Sequence, residues 1–334
     1  MKSFPNVFPL QGKSFARRRN DLSTASMASP TGLSRIKLFM ALSRTPHGLL
    51  DMATPAMAAM LWLGHVPSAP VVILGLITAF AGYTAVYALN DVVDYRVDRE
   101  KFQSLGLETT GNDLDSVFVR HPLAQGLLTL KEGILWTAGW GTVALVGAYM
   151  LNPLCALVFL AGCLLEAIYC LLLRVSYFRT AVSGGVKTAG GLAAVFAVTS
   201  DPSAIFLVLL FLWLFSWEVG GQNVPNDWTD MDADRDMKAQ TIPVRLGTER
   251  AARIILRSLV GSVLLSLVLY AATPASLHLI YLPGALIIGG VLLLHPAWKL
   301  HQSLNREHAA ALFNRASYYP LCMFLLVTVS AFLS

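Results

Sequence analysis

Charged residues are scarce in this chain of 334 residues, in which Asp, Glu, Lys and Arg together make up 13% of the sequence. A typical soluble domain carries about 25% of these residues. Hydrophobic residues make up 55%, and the mean hydropathy is +0.58. Because a helical membrane span needs about 20 predominantly apolar residues, this composition excludes a soluble globular protein and predicts a membrane protein with several spans.

Other absences narrow the possible functions. The Lys and Arg residues are spread over many loops and form no basic stripe, so no nucleic-acid partner is expected. The four cysteines lie inside apolar runs without metal-binding spacing, so neither a zinc site nor a disulfide is predicted. Residues 1–30 are polar and contain no apolar segment, which excludes a secretory signal. We expect either a cytosolic tail or an organelle transit peptide there, followed by one membrane domain over residues 31–334.

Long apolar runs predict an all-α protein with about nine transmembrane helices. The predicted spans are residues 46–64, 71–91, 131–150, 153–173, 181–200, 203–223, 254–272, 276–295 and 315–333. With the N-terminus placed inside, the outer loops contain no Lys or Arg. Because cytoplasmic loops are enriched in these residues, we expect a cytoplasmic N-terminus, and a bacterial inner membrane as the location.

A sequence motif with the pattern N-D-x-x-D-x-x-x-D, the acidic phrase, occurs twice, each time at the inner end of a predicted span. The first copy contains Asn90, Asp91, Asp94 and Asp98, and the second contains Asn226, Asp227, Asp230 and Asp234. Helical residues four apart lie on one face, about 6 Å from each other. The Asn and the last two aspartates of each copy therefore form a column on one face of the helix. Asp91 and Asp227 lie about 100° around the helix from their columns. Oxygen ligands of this kind suit Mg²⁺, so we predict that the two copies hold Mg²⁺ ions with a diphosphate between them.

Together with shorter motifs, the two phrases resemble the UbiA superfamily of intramembrane prenyltransferases. These motifs are S-R-T-P-H-G before the first span, H-P-L-A-Q-G after the first phrase, Tyr169 with Arg174 and Arg179 at the end of the fourth span, and K-x-x-T-I-P-V-R-L-G over residues 238–247. The resemblance covers residues 40–334. One departure is an extra acidic, glycine-containing stretch at residues 108–115, where a shorter link is expected.

The resemblance implies a helical bundle around a central cavity that opens sideways to the membrane lipids. It also implies Mg²⁺-dependent transfer of an isoprenyl group from a prenyl diphosphate to an aromatic, quinone-precursor or lipid-like acceptor. The last two aspartates of each phrase are then the catalytic carboxylates. Arg174, Arg179 and Lys238 match basic positions that bind the diphosphate.

Several ionisable residues lie inside the predicted spans, where they are costly unless they face a polar cavity. Glu218 either contacts the acceptor and takes its proton or is a neutral side chain bonded to a neighbouring helix. Asp51 is a candidate acceptor contact. Lys187 either binds the diphosphate or pairs with Glu166, which itself is placed to orient Arg174.

Two tyrosines precede the first phrase by one to two helical turns. Tyr83 and Tyr87 are candidates for stabilising an allylic cation near the acceptor. Ordinary packing or an interfacial position is the commoner role of any one aromatic ring in a membrane protein.

Two other functions are compatible with these residues. Some members of the superfamily cyclise their polyprenyl diphosphate instead of transferring it, and no residue separates a terpene cyclase from a transferase. A transporter or a non-catalytic scaffold would also show repeated halves. Transporter sites usually lie near the midplane, whereas both acidic phrases lie at the inner face, which favours an enzyme.

Overall fold

The computed structural model describes residues 32–105 and 119–334. By internal packing the chain divides into two units, Met1–Ile36 and Lys37–Ser334. The predicted N-terminal tail and the acidic stretch at residues 108–115 lie outside the described residues, so the predicted domain boundary at residue 30 stays a prediction.

Every regular element in the described ranges is a helix, which confirms the all-α prediction. The helices are α1 (Gly32–Leu42), α2 (Thr45–Asp51), α3 (Ala53–Leu63), α4 (Ala69–Val93), α5 (Tyr95–Leu105), α6 (Leu130–Leu151), α7 (Pro153–Leu171), α8 (Arg179–Val198), α9 (Ala204–Trp217), the π-helix π1 (Glu218–Asn223), α10 (Val224–Thr229), α11 (Met231–Asp236), α12 (Ile242–Leu246), α13 (Thr248–Ala272), α14 (Tyr281–Gly289), the π-helix π2 (Gly290–Leu294), α15 (His295–Ser303), α16 (Arg306–Ser317) and α17 (Tyr319–Phe332).

Within the described ranges, eight helices are long and apolar enough to cross a membrane. They are Ala69–Val93, Leu130–Leu151, Pro153–Leu171, Arg179–Val198, Ala204–Thr229, Thr248–Ala272, Tyr281–Ser303 and Arg306–Phe332. The expected count of nine is not confirmed. The predicted first span is divided into α2 and α3 at Met52. Pro55 has no N–H to donate to the carbonyl four residues earlier, which is that of Asp51, and this explains why α2 ends there.

Two of the long helices contain a π-helical segment directly before a proline. The segment π1 precedes Val224-Pro225, and π2 precedes His295-Pro296. A proline inside a helix removes one backbone hydrogen bond and crowds the preceding turn, and a wider turn relieves that crowding. Because π1 carries Glu218 and Gln222, the wider turn shifts both side chains from the face expected of a regular α-helix.

Small residues let α8 lie close to its neighbours. A Cβ atom on Gly191 would lie 2.7 Å from Cδ1 of Leu214 on α9, and one on Gly190 would lie 2.9 Å from the Tyr83 hydroxyl on α4. Such distances are too short for real Cβ atoms, so a side chain at either position would displace Leu214 or Tyr83. The close approach brings Lys187, on the same helix, next to α2 and α4.

Candidate active site

A cavity of about 630 Å³ runs through the bundle between α4, α7, α8 and π1. Its lining follows α4 from Val71 to Asp91, which is roughly 30 Å at a rise of 1.5 Å per residue. That distance is about the thickness of the hydrocarbon core of a bilayer. One end is lined by charged residues, and the other by apolar and small residues such as Val72, Ala193 and Ala197.

Both acidic phrases line the charged end of this cavity, including Asp91 and Asp227, which lie off the expected columns. Each phrase contains a short interruption at the second of its three column residues. Asp94 separates α4 from α5, and Asp230 separates α10 from α11. Backbone hydrogen bonds of 2.9 Å from Asp98 to Asp94 and from Asp234 to Asp230 keep the four-residue spacing through the interruptions. The four-residue step from the second to the third column residue is therefore kept although neither helix is continuous.

Within the first phrase, Asn90 and Asp91 contact basic side chains, and Asn90 also contacts a carboxyl group. Asn90 accepts a hydrogen bond from Arg44 at 3.0 Å and donates to Glu166 at 2.7 Å. Asp91 lies 3.5 Å from Arg44 and 3.2 Å from Nδ1 of His121. Glu166 therefore holds Asn90, whereas the sequence places it to orient Arg174.

The second phrase faces the first across the mouth of the cavity. Lys101, on the helix that carries Asp98 of the first phrase, donates to Asp230 of the second phrase at 2.9 Å. Arg179 donates to the buried Asp227 at 3.2 Å and lies 4.0 Å above the ring of Tyr169. These contacts bring two segments that are far apart in the chain to one opening.

The carboxyl groups outside the spans differ in their proton affinity. Burial, together with the charge of Asp98, raises the pKa of Asp94 to about 6. Burial also raises the pKa of Asp234 to about 6, against the opposing charge of Lys101. For Asp230, burial favours the neutral form, but Lys101 and other basic neighbours outweigh it and lower the pKa below the usual value. Each phrase thus holds carboxyl groups ionised to different degrees, which is expected of like charges crowded into one site.

His121 is the most perturbed base at this end. Burial alone would lower its pKa, but Asp98 and Asp91 raise it to about 10. The reciprocal effect lowers the pKa of Asp98 despite the burial of that carboxyl group. Nδ1 of His121 lies 3.1 Å from Asp98, so at neutral pH His121 is a cation that donates to these carboxylates.

The side chains at this end fit a divalent metal ion. A carboxylate oxygen of Asp91 and one of Asp98 lie within 4.8 Å of each other, with a ring nitrogen of His121 equally close. In the second phrase, one buried oxygen of Asp227 has no hydrogen-bond partner among the described residues. Carboxylate and amide oxygens dominate both phrases, and this donor set is the one that Mg²⁺ prefers.

Four basic residues that line this end were not singled out from the sequence. They are Arg44, Lys101, Arg120 and His121. Arg44 (φ 42°) and His121 (φ 48°) adopt the left-handed backbone conformation, which is uncommon for side chains of this kind. Both belong to the short motifs S-R-T-P-H-G and H-P-L-A-Q-G, which were the signal that could have identified them.

The four basic residues predicted to bind the diphosphate separate into two pairs. Arg179 and Lys187 line the cavity. Arg174 does not; its guanidinium group pairs with Glu100 at 2.7 Å, and both side chains are exposed (41% and 59%). Lys238 is also exposed and lies outside the cavity lining. The geometry gives no support to a diphosphate role for Arg174 or Lys238.

Deeper in the membrane, a polar cluster interrupts the apolar wall. Lys187 donates to the buried Asp51 at 2.7 Å and lies 2.9 Å from the hydroxyl of Tyr87, which donates to the same carboxylate. Glu218 accepts from Ser183 at 2.6 Å. The ring of Tyr87 already lies near two cations, Arg44 at 5.7 Å and Lys187 at 5.4 Å, so this geometry does not favour it as the ring over an allylic cation.

Comparison with known proteins agrees with this architecture. Residues 52–326 match the model of the UbiA prenyltransferase family. Digeranylgeranylglyceryl phosphate synthase of Methanosphaera stadtmanae is 22% identical over 259 residues, which is 77% of this chain and 86% of that protein.

Solved structures show the same fold. A UbiA homologue from Aeropyrum pernix K1 superposes with a TM-score of 0.67 at 17% identity and covers 85% of this chain and 97% of its own. A UbiA homologue from Archaeoglobus fulgidus bound to DMAPP and Mg²⁺ superposes with a TM-score of 0.60 at 16% identity and covers 87% of this chain and 99% of its own. The fold of an integral membrane protein with several spans is therefore shared.

Proposed function

This chain belongs to the UbiA prenyltransferase family and is an intramembrane enzyme of that class, and from this premise we propose that it transfers an isoprenyl chain from a prenyl diphosphate to an acceptor, with Mg²⁺ as the cofactor. The observation that carries the proposal is the cavity itself. Both acidic phrases line one end, and the lining becomes apolar toward the other end of a cavity whose full length is about the thickness of the bilayer core. A donor with a doubly charged head and a hydrocarbon tail matches this division.

The acidic phrases are the proposed metal ligands, with Asp94, Asp98, Asp230 and Asp234 as the catalytic carboxylates. When bound, Mg²⁺ neutralises the diphosphate and makes it a better leaving group. The relative from Archaeoglobus fulgidus binds DMAPP together with Mg²⁺, which supports the same pairing of donor and metal here.

Basic side chains at the same end supply the remaining charge for the diphosphate. Arg44, Lys101 and Arg179 line the cavity, and each contacts a residue of the acidic phrases. A guanidinium group offers planar, paired donors that suit phosphate oxygens. We propose that these residues, with Lys187 deeper in the cavity, orient the donor so that its allylic carbon lies just below the metal site.

The apolar half of the cavity holds the tail. Val66 and Leu76 line it and are about half exposed (48% and 51%), so the cavity is open at this end. Small residues such as Gly75 and Ala197 leave room along the wall. An apolar wall also excludes water from the allylic carbon, which limits hydrolysis of the donor.

The charged end is proposed to face the cytoplasm. Lys and Arg residues cluster in the loops on the side of Asp94 and Asp230, and the loops on the other side have none. This asymmetry follows the positive-inside rule. The bacterial origin expected from the sequence stays a prediction.

The test uses the purified protein in lipid nanodiscs. Dimethylallyl, geranyl, farnesyl and geranylgeranyl diphosphates, and their non-reacting thio-diphosphate analogues, are supplied with and without Mg²⁺. We expect Mg²⁺-dependent binding of the analogues and, with an acceptor, release of diphosphate. Mass spectrometry of the organic product identifies a linear transfer product or a cyclic hydrocarbon, and the latter would make the protein a terpene cyclase.

Two alanine variants supply the matched comparison. Asp230→Ala should abolish Mg²⁺-dependent donor binding. Asp232→Ala removes an exposed carboxylate from the same segment, which pairs with the exposed Arg235 at 3.6 Å, and should leave binding unchanged. Equal behaviour of the two variants would contradict the metal assignment, and donor binding that ignores Mg²⁺ in the unmodified protein would contradict the proposed function.

A further inference from the structure

A row of basic side chains runs along the exposed face of α13, outside the cavity. Arg250, Arg253 and Arg257 are all exposed and, at 3.6 residues per turn, lie within a sector of about 60°. None of the three lines the cavity, and none of their side chains has a hydrogen-bond or ion-pair partner among the described residues. The row therefore has no part in the proposed reaction and is open to a ligand from outside.

The same face continues as an apolar stripe. Val260, Leu264 and Val268 follow the arginines at helical spacing and are 41%, 56% and 51% exposed. The opposite face of α13, which includes Ile255 and Leu259, is completely buried against the bundle. Because α13 is one of the helices long and apolar enough to cross the membrane, its exposed face borders lipid. The row of arginines thus begins the lipid-facing side of this helix.

The depth of the row distinguishes it from charges in the loops. From Arg257 to the end of α13 at Ala272 the helix rises only roughly 22 Å, whereas the hydrocarbon core of a bilayer is about 30 Å thick. Counted from Ala272, the backbone of Arg257 lies inside the apolar layer, and that of Arg253, one turn earlier, lies close to its boundary. Long arginine side chains reach back toward the headgroups. A guanidinium group at this depth is costly unless an anion meets it.

The surroundings of the row favour an anionic partner. Arg245 on α12 and Lys299 on α15, two helices that pack against α13, are exposed and carry the same sign of charge. Glu249 is the single acidic residue of α13, and it forms no ion pair with Arg253, four positions away. A second copy of this chain docked through the same face would bring arginines against arginines, which is unfavourable.

We propose that Arg253 and Arg257 bind the headgroup of an anionic phospholipid, whose acyl chains lie along Val260, Leu264 and Val268. The paired donors of a guanidinium group suit phosphate oxygens, and the two arginines are about 6 Å apart along the helix, so one phosphate fits between them. A zwitterionic headgroup carries its own ammonium group, which competes with the arginines for the phosphate. The site therefore selects lipids with uncompensated negative charge, such as phosphatidylglycerol.

The test is native mass spectrometry of the full chain released from nanodiscs that contain equal amounts of phosphatidylglycerol and phosphatidylcholine with identical acyl chains. A basic side chain near an anionic membrane surface strengthens binding about fivefold, so two arginines should favour phosphatidylglycerol roughly 25-fold in the most tightly retained lipid. Equal retention of the two lipids would overturn the proposal. Water-soluble glycerophosphoglycerol has the headgroup without acyl chains and should not displace the lipid; displacement would overturn the lipid assignment in favour of a free phosphate ester.

Variants of the two arginines locate the site. Arg253→Gln/Arg257→Gln should lose the preference for phosphatidylglycerol, and Arg257→Gln alone should reduce it about fivefold. Arg253→Lys/Arg257→Lys keeps both charges and should retain most of the preference. Because these side chains are exposed, every variant should keep the helical circular dichroism and the Tm that the unmodified protein has in phosphatidylcholine.

Arg174→Gln is the matched control. It makes the same chemical change at an exposed arginine that is already paired with Glu100 at 2.7 Å, so the lipid preference should not change. A preference that survives in Arg253→Gln/Arg257→Gln, or one that Arg174→Gln reduces to the same degree, would refute the assignment of the site to α13.

Discussion

The ion pair between Asp51 and Lys187 allows the energetics of the cavity wall to be measured. The Asp51 side chain is 3% exposed and that of Lys187 is 15% exposed. Both groups lie in the apolar interior, so each depends on the other for compensation of its charge. Lys187→Met and Asp51→Asn each remove one charge, and the double variant removes both.

The expected magnitudes follow from burial. Removing one partner of a buried pair costs about 3–5 kcal/mol, because the other charge is left without compensation. Tyr87 still donates to Asp51 after Lys187→Met, so we expect the lower end, about 3 kcal/mol. Asp51→Asn leaves Lys187 close to Glu218, and a smaller loss is expected. The loss of unfolding free energy in the double variant should be smaller than the sum of the two single losses by about 2 kcal/mol.

Free cysteines provide the assay. Cys155 and Cys170 are 2% and 3% exposed, so a thiol-reactive dye labels them on unfolding. A loss of about 3 kcal/mol lowers the Tm of a chain of this size by roughly 5 °C. The pair of Arg174 and Glu100 is the control, because its atoms are also 2.7 Å apart but both side chains are exposed. Removing one partner there should cost at most about 1 kcal/mol.

The double-variant comparison can refute this reasoning. If the losses of Lys187→Met and Asp51→Asn add up to the loss of the double variant within about 0.5 kcal/mol, the two charges are not coupled. Equal losses for the buried pair and the exposed control would show that burial does not set the cost. Either result would contradict the conclusion that Asp51 and Lys187 form a coupled, buried ion pair in the cavity wall.

Three further predictions concern the charged end of the cavity. In the metal-free protein, His121→Asn should lower the Tm most below about pH 6.5 and hardly at all by about pH 10. The reason is that His121, with its raised pKa of about 10, stabilises the fold only while it is charged. A difference in Tm that stays constant over that range would contradict the ion pair. The rise in Tm that Mg²⁺ induces should shrink as the pH falls through about 6. Asp94 and Asp234 each have a pKa of about 6, so protons then compete with the metal for their carboxyl groups. A rise in Tm that is independent of pH would argue against these two residues as ligands. Arg179→Gln should raise the KM for the donor roughly tenfold to a hundredfold in steady-state kinetics, and Arg174→Gln should not. A raised KM for Arg174→Gln would instead support the diphosphate role that the sequence assigned to Arg174.

The interruptions at Asp94 and Asp230 give the two acidic phrases the same local form. In each case a long membrane helix, Ala69–Val93 or Ala204–Thr229, ends one residue before the second column residue, and a shorter helix carries the third. The short helix α5 then extends to Lys101, which reaches the opposite phrase. The interruption therefore directs the chain across the mouth of the cavity rather than out into solvent.

The amino-acid sequence by itself determined the membrane architecture and the two acidic phrases. A long apolar run indicates that a helix is surrounded by lipid, and a spacing of four residues indicates which side chains share a face of the helix. Both signals are local in the sequence. The split of the first span at Met52 could also have been read from Pro55, whose missing N–H acts only four residues away.

Only the tertiary structure decided which basic residues join the acidic phrases. Lys101 and Asp230 are 129 positions apart, and Arg44 and Asn90 are 46 apart, and no periodicity encodes such contacts. Arg174 and Lys238 were expected at the site on motif position alone, yet they are exposed outside the cavity. Local spacing fixes the face of one helix, whereas the partner across a cavity depends on how separate helices pack against each other. That packing is a property of the whole bundle, which is why the two acidic columns could be predicted from local spacing, whereas of their basic partners only Arg179 was predicted.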